Sequence, residues 1–231
     1  MRPLADFCSR VCPFLLLGSF WSVAAAQPVP GGKPVSERTT EIGCWIIAHE
    51  PVGRFNESSV FWHLDAYPTR AAAQAAKGAQ GAVVQSFGKV SLLTIAEEGW
   101  RPQGGERVAQ IGPLPVTPGQ NYSAQYMEAT FTPGMTASEH IHPGPEAWFT
   151  LSGETCLETP EGKQVGRAGG QPVIVPGGPP MHLTATGSVS HLMSPLGVER
   201  VCFRMARHCN SFKSAFASFR SSVSKPFVNQ K

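Results

Sequence analysis

The sequence predicts a mainly β protein in which a small α+β segment precedes a β-barrel. Glycine and proline number 24 and 21 among 231 residues, which is typical of many short strands joined by tight turns. From about residue 105 onward, short apolar runs recur between such turns every ~8–12 residues, the spacing of a sandwich or barrel. Because 42% of the residues are hydrophobic and 15% charged, the chain can bury a core and is not disordered throughout.

The segment before the barrel, residues 41–104, contains both strand-like and helical patterns. "EIGCWIIAHE" and "SVFWHLDAY" are rich in β-branched and aromatic residues and predict two strands. The alanine-rich "TRAAAQAAKGAQG" predicts a short helix that ends at Gly78 or Gly81, and "AVVQSF" with "KVSLLTIAE" predicts another strand pair. His49 and His63 lie in apolar strand contexts, so we predict that both are structural histidines.

The first 26 residues have the pattern of an export signal. Arg2 and Arg10 precede the apolar run "VCPFLLLGSFW", and Ala24 and Ala26 supply small residues at the cleavage positions. The apolar run is too short to span a bilayer comfortably. We therefore expect residues 1–26 to be a signal peptide and the protein to be exported, either periplasmic or secreted.

The remaining boundaries follow from composition and charge. Residues 27–40 have no periodic apolar pattern and are predicted to be a flexible linker. The predicted barrel spans residues 105–187. Residues 27–187 carry ten basic and fourteen acidic residues, so the body of the chain is acidic. The overall net charge of +3 therefore gives no reason to expect nucleic-acid binding.

The tail, residues 188–231, differs from the rest in composition. It holds nine serines, seven basic residues and a single acid, so we predict an atypical segment that need not fold with the barrel. Within it, "VERVCFRM" alternates like a closing barrel strand, whereas "FKSAFASF" aligns phenylalanines on one helix face. A basic amphipathic segment of this kind is an alternative that would contact an anionic membrane surface. A further hypothesis is that the tail did not evolve with this fold.

Cysteine usage leaves the disulfide pattern open. Cleavage of the signal would leave Cys44, Cys156, Cys202 and Cys209. An exported location permits disulfides, and four cysteines allow three complete pairings, among which the sequence does not choose.

The stretch "HIHPGPEAW" carries the strongest functional pattern. His140 and His142 are two residues apart, so on a β-strand they point to the same face. Glu146 follows a Pro-Gly-Pro turn that can return its carboxylate to that face, and "PGGPPMH" places His182 at the start of another strand. Three imidazoles and one carboxylate that converge in a barrel suit a borderline divalent metal: Fe, Mn, Zn, Ni or Cu.

These residues resemble the two sequence motifs of the cupin superfamily. The first motif, G-x5-H-x-H-x3-E-x6-G, is met in full by Gly134, His140, His142, Glu146 and Gly153. The second, G-x5-P-x-G-x2-H-x3-N, is met at Gly170, Pro176 and Gly178. Three residues instead of two then precede His182, and Thr186 stands at the position of the asparagine. The resemblance implies a cupin-type jelly roll, also called a double-stranded β-helix, with a metal ion held by His140, His142, Glu146 and His182.

The resemblance does not fix the function, because cupins support many chemistries. A metal-dependent oxygenase, isomerase or hydrolase that acts on a small organic molecule is one hypothesis, and its catalytic residues are unknown. A non-catalytic protein that binds a sugar or an organic acid is another. A structural role, with a homodimer formed through sheet edges, is a third. Tyr126 and Trp148 lie on predicted barrel strands and are candidates for substrate binding, whereas core packing is the alternative, since a barrel needs large apolar side chains inside.

Overall fold

A computed structural model describes residues 28–29, 32–186 and 198–207. The predicted signal peptide and the parts of the tail at 187–197 and 208–231 lie outside these residues. One α-helix, α1 (Arg70–Ala76), and a 3-10 helix, Val35–Glu37, are described beside the strands. The strands in chain order are β1 (Pro28–Val29), β2 (Lys33–Pro34), β3 (Gly43–Arg54), β4 (Ser59–Tyr67), β5 (Gly81–Ser86), β6 (Lys89–Ala96), β7 (Glu106–Pro115), β8 (Asn121–Phe131), β9 (Thr136–His140), β10 (Glu146–Thr150), β11 (Glu154–Thr159), β12 (Gly162–Arg167), β13 (Val173–Val175), β14 (Met181–Thr186) and β15 (Val198–Arg207). In the described part of the chain, no helix is long and apolar enough to cross a membrane.

The eight strands from β8 to β15 form a jelly roll. One sheet has the order β9-β14-β11-β12, and the other has the order β13-β10-β15-β8. Two four-stranded antiparallel sheets whose strands alternate between the layers in this way are the architecture expected of a jelly roll. The predicted fold class, mainly β with a jelly-roll barrel, is confirmed.

Strand β15 comes from the tail and lies in the middle of its sheet. It pairs antiparallel with β8 from Val198↔Phe131 to Arg207↔Tyr122 and with β10 on its other side. The stretch "VERVCFRM" is therefore a barrel strand, in agreement with its alternating pattern. The predicted basic helix of the tail lies outside the described residues.

The sheets do not follow the predicted boundary at residue 105. Strand β3 pairs antiparallel with β8 and extends the jelly-roll sheet, although it belongs to the predicted N-terminal segment. Conversely, β7 pairs with β4 in the four-stranded sheet β5-β6-β4-β7, although it follows the boundary. In an isolated jelly roll β8 would be an exposed edge, and β3 pairs with that edge and protects it.

The predicted flexible linker carries regular structure in its described part. Strand β2 pairs parallel with β3 through Lys33↔Trp45 and Pro34↔Ile46. Arg38 then hydrogen-bonds the buried Glu128 carboxylate, whose other oxygen accepts from Ser86 Oγ at 2.6 Å. An ion pair to a buried carboxylate fixes this segment against the jelly roll and the four-stranded sheet, which corrects the expectation of a flexible lead-in.

Helix α1 covers one face of the four-stranded sheet. Thr69 caps its first turn, because the Thr69 hydroxyl accepts from Ala72 N at 3.1 Å. Ala73 is fully buried in a small cluster with Tyr67 and Leu92. The order strand, strand, helix, strand, strand predicted for this segment is thus observed, although β3 pairs elsewhere.

Two hydrophobic clusters lie on opposite faces of the six-stranded sheet. The outer cluster joins this sheet to the four-stranded sheet and includes Trp62, Ile111 and Tyr126. The inner cluster fills the jelly roll and includes Trp148, Leu157 and Met181. This six-stranded sheet, of order β13-β10-β15-β8-β3-β2, is the middle sheet of the fold, and it is covered on both faces. Alternation along its strands decides which side chains point into the barrel.

Candidate metal centre

Three of the four predicted ligands meet where β9 turns into β10. His140 is the last residue of β9, and Glu146 is the first residue of β10. His142 lies in the turn between them and not on the strand, so strand alternation alone does not align the two histidines. The intervening Ile141 points outward and is 66% exposed, whereas His142 and Glu146 are only 4% and 3% exposed. The turn therefore directs both histidines toward the barrel.

The ligating atoms of His140, His142 and Glu146 all lie within 4.8 Å of one another. The two imidazole rings are 5.0 Å apart between centroids, and Nε2 of His142 is 2.8 Å from Oε2 of Glu146. Despite this short distance, His142 Nε2 makes no hydrogen bond among the described residues. Two imidazoles and a carboxylate whose ligating atoms converge in this way are the arrangement expected of ligands for one cation.

A backbone carbonyl fixes the tautomer of His140. Its Nδ1 lies 2.6 Å from the oxygen of Ser138, and because a carbonyl can only accept, Nδ1 carries the proton. The lone pair of the neutral ring is then on Nε2. Metal-binding histidines commonly donate their second ring N–H to a carbonyl in this way, which orients the ring.

The loop of the second motif supports the first. Gly178 N donates to the carbonyl of His142 at 3.0 Å. A Cβ at Gly177 would lie 2.7 Å from the backbone nitrogen of Gly144, so only glycine permits this close approach. The two turns thus pack backbone to backbone at Gly144 and Gly177 and hold His142 in place.

His182 does not join the cluster. It is paired with Glu158 on β11, and both residues lie on the outer face of their sheet, because their neighbours Leu157 and Leu183 point into the barrel. Lys163 lowers the pKa of Glu158 by a hydrogen bond, and the charge of His182 lowers it further, which agrees with that placement. His182 Nε2 has no hydrogen-bond partner among the described residues.

The extra residue in the second motif explains this correction. The motif spacing of two residues after Gly178 falls on Met181, which points inward, and His182 comes one position later. Because side chains alternate along a strand, a shift of one residue moves a side chain to the opposite face. Met181 carries no imidazole, so among the sequence signals only the regular motif spacing identifies it as the inward position.

Tyr126 and Trp148 lie on opposite faces of the middle sheet. Trp148 belongs to the inner cluster, where its Nε1 donates to Thr155 Oγ1 at 3.1 Å. Tyr126 belongs to the outer cluster, 6.3 Å from Trp62 between ring centroids, and burial raises the pKa of its hydroxyl. Core packing, the alternative explanation for Tyr126 and Trp148, therefore replaces the prediction that they bind substrate. Both side chains are fully buried, so neither presents surface to a ligand in this structure.

The described cysteines restrict the disulfide alternatives only in part. Among the residues with described side chains, Cys156 forms no disulfide. Cys44 Sγ lies 3.8 Å from Met127 Sδ. Cys209 lies outside the described residues.

Comparison with known proteins gives matches among solved structures only. No family model and no curated protein matches the sequence. A cupin superfamily protein from Desulfitobacterium hafniense matches at 14% identity over 42% of this chain and 74% of its own, with a TM-score of 0.29. KdgF from Halomonas sp. matches at 13% identity over 39% of this chain and 73% of its own, with a TM-score of 0.28.

An oxalate oxidase in complex with the substrate analogue glycolate also matches. The identity is 20% over 37% of this chain and 42% of the oxidase, with a TM-score of 0.28. At these identities and TM-scores the matches transfer neither a ligand nor a reaction to this chain. Cupin superfamily proteins are among the structures that this chain resembles, and the resemblance concerns the fold alone.

Proposed function

We propose that this chain is a metal-binding cupin-type protein that holds one divalent first-row metal ion with His140, His142 and Glu146 and binds a small organic molecule beside it. The observation that supports this most directly is the convergence of three ligating atoms within 4.8 Å where β9 turns into β10. The buried Nε2 of His142, which has no hydrogen-bond partner among the described residues, adds to it.

The donor set suits a borderline metal. Two imidazole nitrogens and one carboxylate oxygen are ligands that Fe, Mn, Zn, Ni and Cu accept. Three protein ligands leave coordination positions for water and for a ligand, so a bound metal would supply a Lewis acid or an activated water. The protein's own contribution is orientation: Ser138 holds the His140 ring, and Gly178 holds the His142 backbone.

Metal content tests this proposal. The full chain, purified without chelator, should carry about one metal ion per molecule. His142→Ala and Glu146→Gln should lose most of it, since each removes a ligand. His182→Ala is the matched control and should retain it, because His182 faces away from the cluster. Equal metal content in all four proteins, or a loss confined to His182→Ala, would contradict the ligand assignment.

We further propose that the protein is exported and matures by cleavage after Ala26. The support is the basic start, the short apolar run and the small residues at the cleavage positions. Expression in a bacterial host followed by intact-mass measurement should give a chain that begins at Gln27. A chain that keeps its first 26 residues and stays in the cytoplasmic fraction would refute this proposal.

A further inference from the structure

We propose that Met181 supplies a thioether as the fourth ligand of the centre and that the site therefore selects copper, in particular Cu(I). This inference rests on the proposed function, because it concerns the same three protein ligands, and it departs from that function in making monovalent copper the preferred ion. In this assignment the fourth ligand is the sulfur of Met181 instead of the predicted imidazole of His182. Of the five candidate metals Fe, Mn, Zn, Ni and Cu, only copper is then preferred.

Strand register places Met181 beside the cluster. Met181 on β14 is the direct partner of His140 on β9. Directly opposed residues of an antiparallel pair share a face of the sheet, with Cβ atoms ~4.5–5.5 Å apart. The Met181 side chain is therefore the cross-strand neighbour of an imidazole whose lone pair is on Nε2.

Burial places the same side chain inside the barrel. Met181 is 2% exposed and belongs to the inner cluster with Trp148 and Val175. Val175 is the partner of Glu146, the carboxylate ligand, on the adjacent strand pair. Farther along β14 the inward positions are Leu183 and Ala185, which carry no donor atom. Met181 is thus the residue of this strand that can supply a donor to the site.

The other described methionine sulfurs already have contacts. Three methionines have described side chains: Met127, Met135 and Met181. The sulfur of Met127 lies 3.8 Å from Cys44 Sγ. The sulfur of Met135 accepts from Thr132 N at 3.2 Å. The sulfur of Met181 makes no such contact with the described residues. Since Met127 also lies in the inner cluster, it provides a matched control.

Ligand softness then decides the metal. A thioether is a soft ligand that favours Cu(I), and it contributes little to the binding of Mn or of other metals that prefer oxygen. Imidazole binds copper well, so two histidines and a methionine form a suitable set, with the Glu146 carboxylate as an additional oxygen donor. The preference for Cu(I) over Zn(II) should depend on Met181, whereas binding as such should depend on His142.

Competitive titration of the metal-free full chain with Cu(I) and, separately, with Zn(II) tests the inference. Met181→Leu conserves volume, and it should weaken Cu(I) binding by at least about tenfold, the smallest loss typical of disturbing a metal's supporting residues. Zn(II) affinity should change by less than about threefold, because the thioether adds little to a Zn site of imidazole and carboxylate. Met127→Leu should change neither affinity. Met181→His should shift the preference toward Zn(II).

A spectroscopic measurement keeps the test independent of how the variants fold. X-ray absorption at the copper edge of selenomethionine-labelled protein should show a copper–selenium contact, which is lost in labelled Met181→Leu. Wild-type protein that binds Cu(I) without a selenium neighbour, or Met181→Leu that binds Cu(I) as tightly as wild type, would overturn the inference while leaving the metal site intact. Wild-type protein that binds neither metal would instead overturn the proposed function, and this inference with it.

Discussion

Two buried clusters of histidine and carboxylate lie within the described part of the chain, and they differ in the cation that completes each of them. The metal cluster comprises His140, His142 and Glu146 in the jelly roll. The arginine cluster comprises His63, Asp65 and Arg107 on the four-stranded sheet. In the arginine cluster, Arg107 Nε donates to Asp65 Oδ1 at 2.6 Å, and Arg107 Nη1 donates to His63 Nδ1 at 2.7 Å.

The second ring nitrogen of His63 is satisfied as well. Its Nε2 lies 2.9 Å from the carbonyl of Glu97 and donates to it. Both nitrogens of the neutral ring therefore have partners, and the cation of the cluster belongs to the chain itself. His142 differs, because its Nε2 faces a carboxylate oxygen without a hydrogen bond. A buried histidine with two partners is structural, whereas His142 is a candidate ligand because its Nε2 lies beside a carboxylate and a second imidazole in one cluster. The Nε2 of His182 also lacks a hydrogen bond among the described residues, but His182 is not a member of that cluster.

Burial also shapes the electrostatics of the arginine cluster. Loss of hydration lowers the pKa of His63 to about 4, and the positive charge of Arg107 acts in the same direction. Burial raises the pKa of Asp65, although the hydrogen bond and the charge of Arg107 oppose that rise. The cluster is therefore built for a neutral histidine and depends on Arg107.

Removal of Arg107 should have the largest effect on stability. Arg107→Met leaves the Asp65 carboxylate, which is 1% exposed, without its cation, and should lower the free energy of unfolding by about 3–5 kcal/mol. Urea denaturation measures this loss. Arg101→Met removes an exposed arginine that donates to Gln110 and should change stability by less than about 0.5 kcal/mol. Equal effects of the two substitutions would remove the distinction between a completed cluster and an ordinary surface charge.

Acid should destabilise the protein through His63. Between pH 6.5 and about 4 the unfolded chain binds a proton at this histidine and the folded chain does not, so the free energy of unfolding falls as the pH falls through that window. The loss should approach about 3 kcal/mol. Asp65 reduces it, because a raised carboxyl pKa makes the folded state bind a proton first. Urea denaturation across this pH range should show a flatter profile for His63→Gln and an unchanged profile for the exposed His49→Gln.

Metal should stabilise the fold through the metal cluster alone. A ligand present at a hundred times its dissociation constant adds about 2.7 kcal/mol to the free energy of unfolding. Addition of the metal should therefore raise the thermal midpoint of wild type and of His63→Gln, but not that of His142→Ala. A metal-dependent rise in His142→Ala would place the ion elsewhere.

Substitution of Gly177, in the second motif, should have the smallest of these effects on stability. It tests whether the loop of Gly177 supports the turn that contains Gly144. Gly177→Ala forces the backbone at Gly144 to move and should cost about 1–3 kcal/mol, together with roughly tenfold in metal affinity. Gly78→Ala is the control, since a Cβ there meets no atom within 4 Å. Titration and denaturation of both variants would show whether close packing of the two turns supports the ligands.

The convergence of His140, His142 and Glu146 could be predicted from the sequence because their local spacing determines it. A histidine pair and a glutamate within seven residues, joined by a Pro-Gly-Pro turn, have few ways to lie far apart. The sheet face on which His182 lies was harder to predict. One extra residue between Gly178 and His182 is enough to move the histidine to the opposite face of its strand. Resemblance to the second motif predicted that His182 is a ligand, whereas the structure places it on the outer surface of its sheet.

The sequence also did not predict which distant strands pair with each other. The elements of residues 41–104 were predictable from composition and periodicity. The choice of β8 as the partner of β3 depends instead on pairing from Gly43↔Thr130 to Arg54↔Asn121, far apart in the chain. Nothing in the local pattern of β3 encodes that pairing. Likewise, the alternating run in the tail predicted a strand, whereas its central place between β8 and β10 follows only from the assembled sheet.

The position of a bound metal ion tests the central claim most directly. A crystal of the full chain grown with copper, measured at the copper absorption edge, should show one anomalous peak about 2 Å from His140, His142 and Glu146. Peaks should be absent at His182 and Glu158 and in the arginine cluster. A peak at either of those places, or no peak at the three predicted ligands, would contradict the assignment of the metal centre.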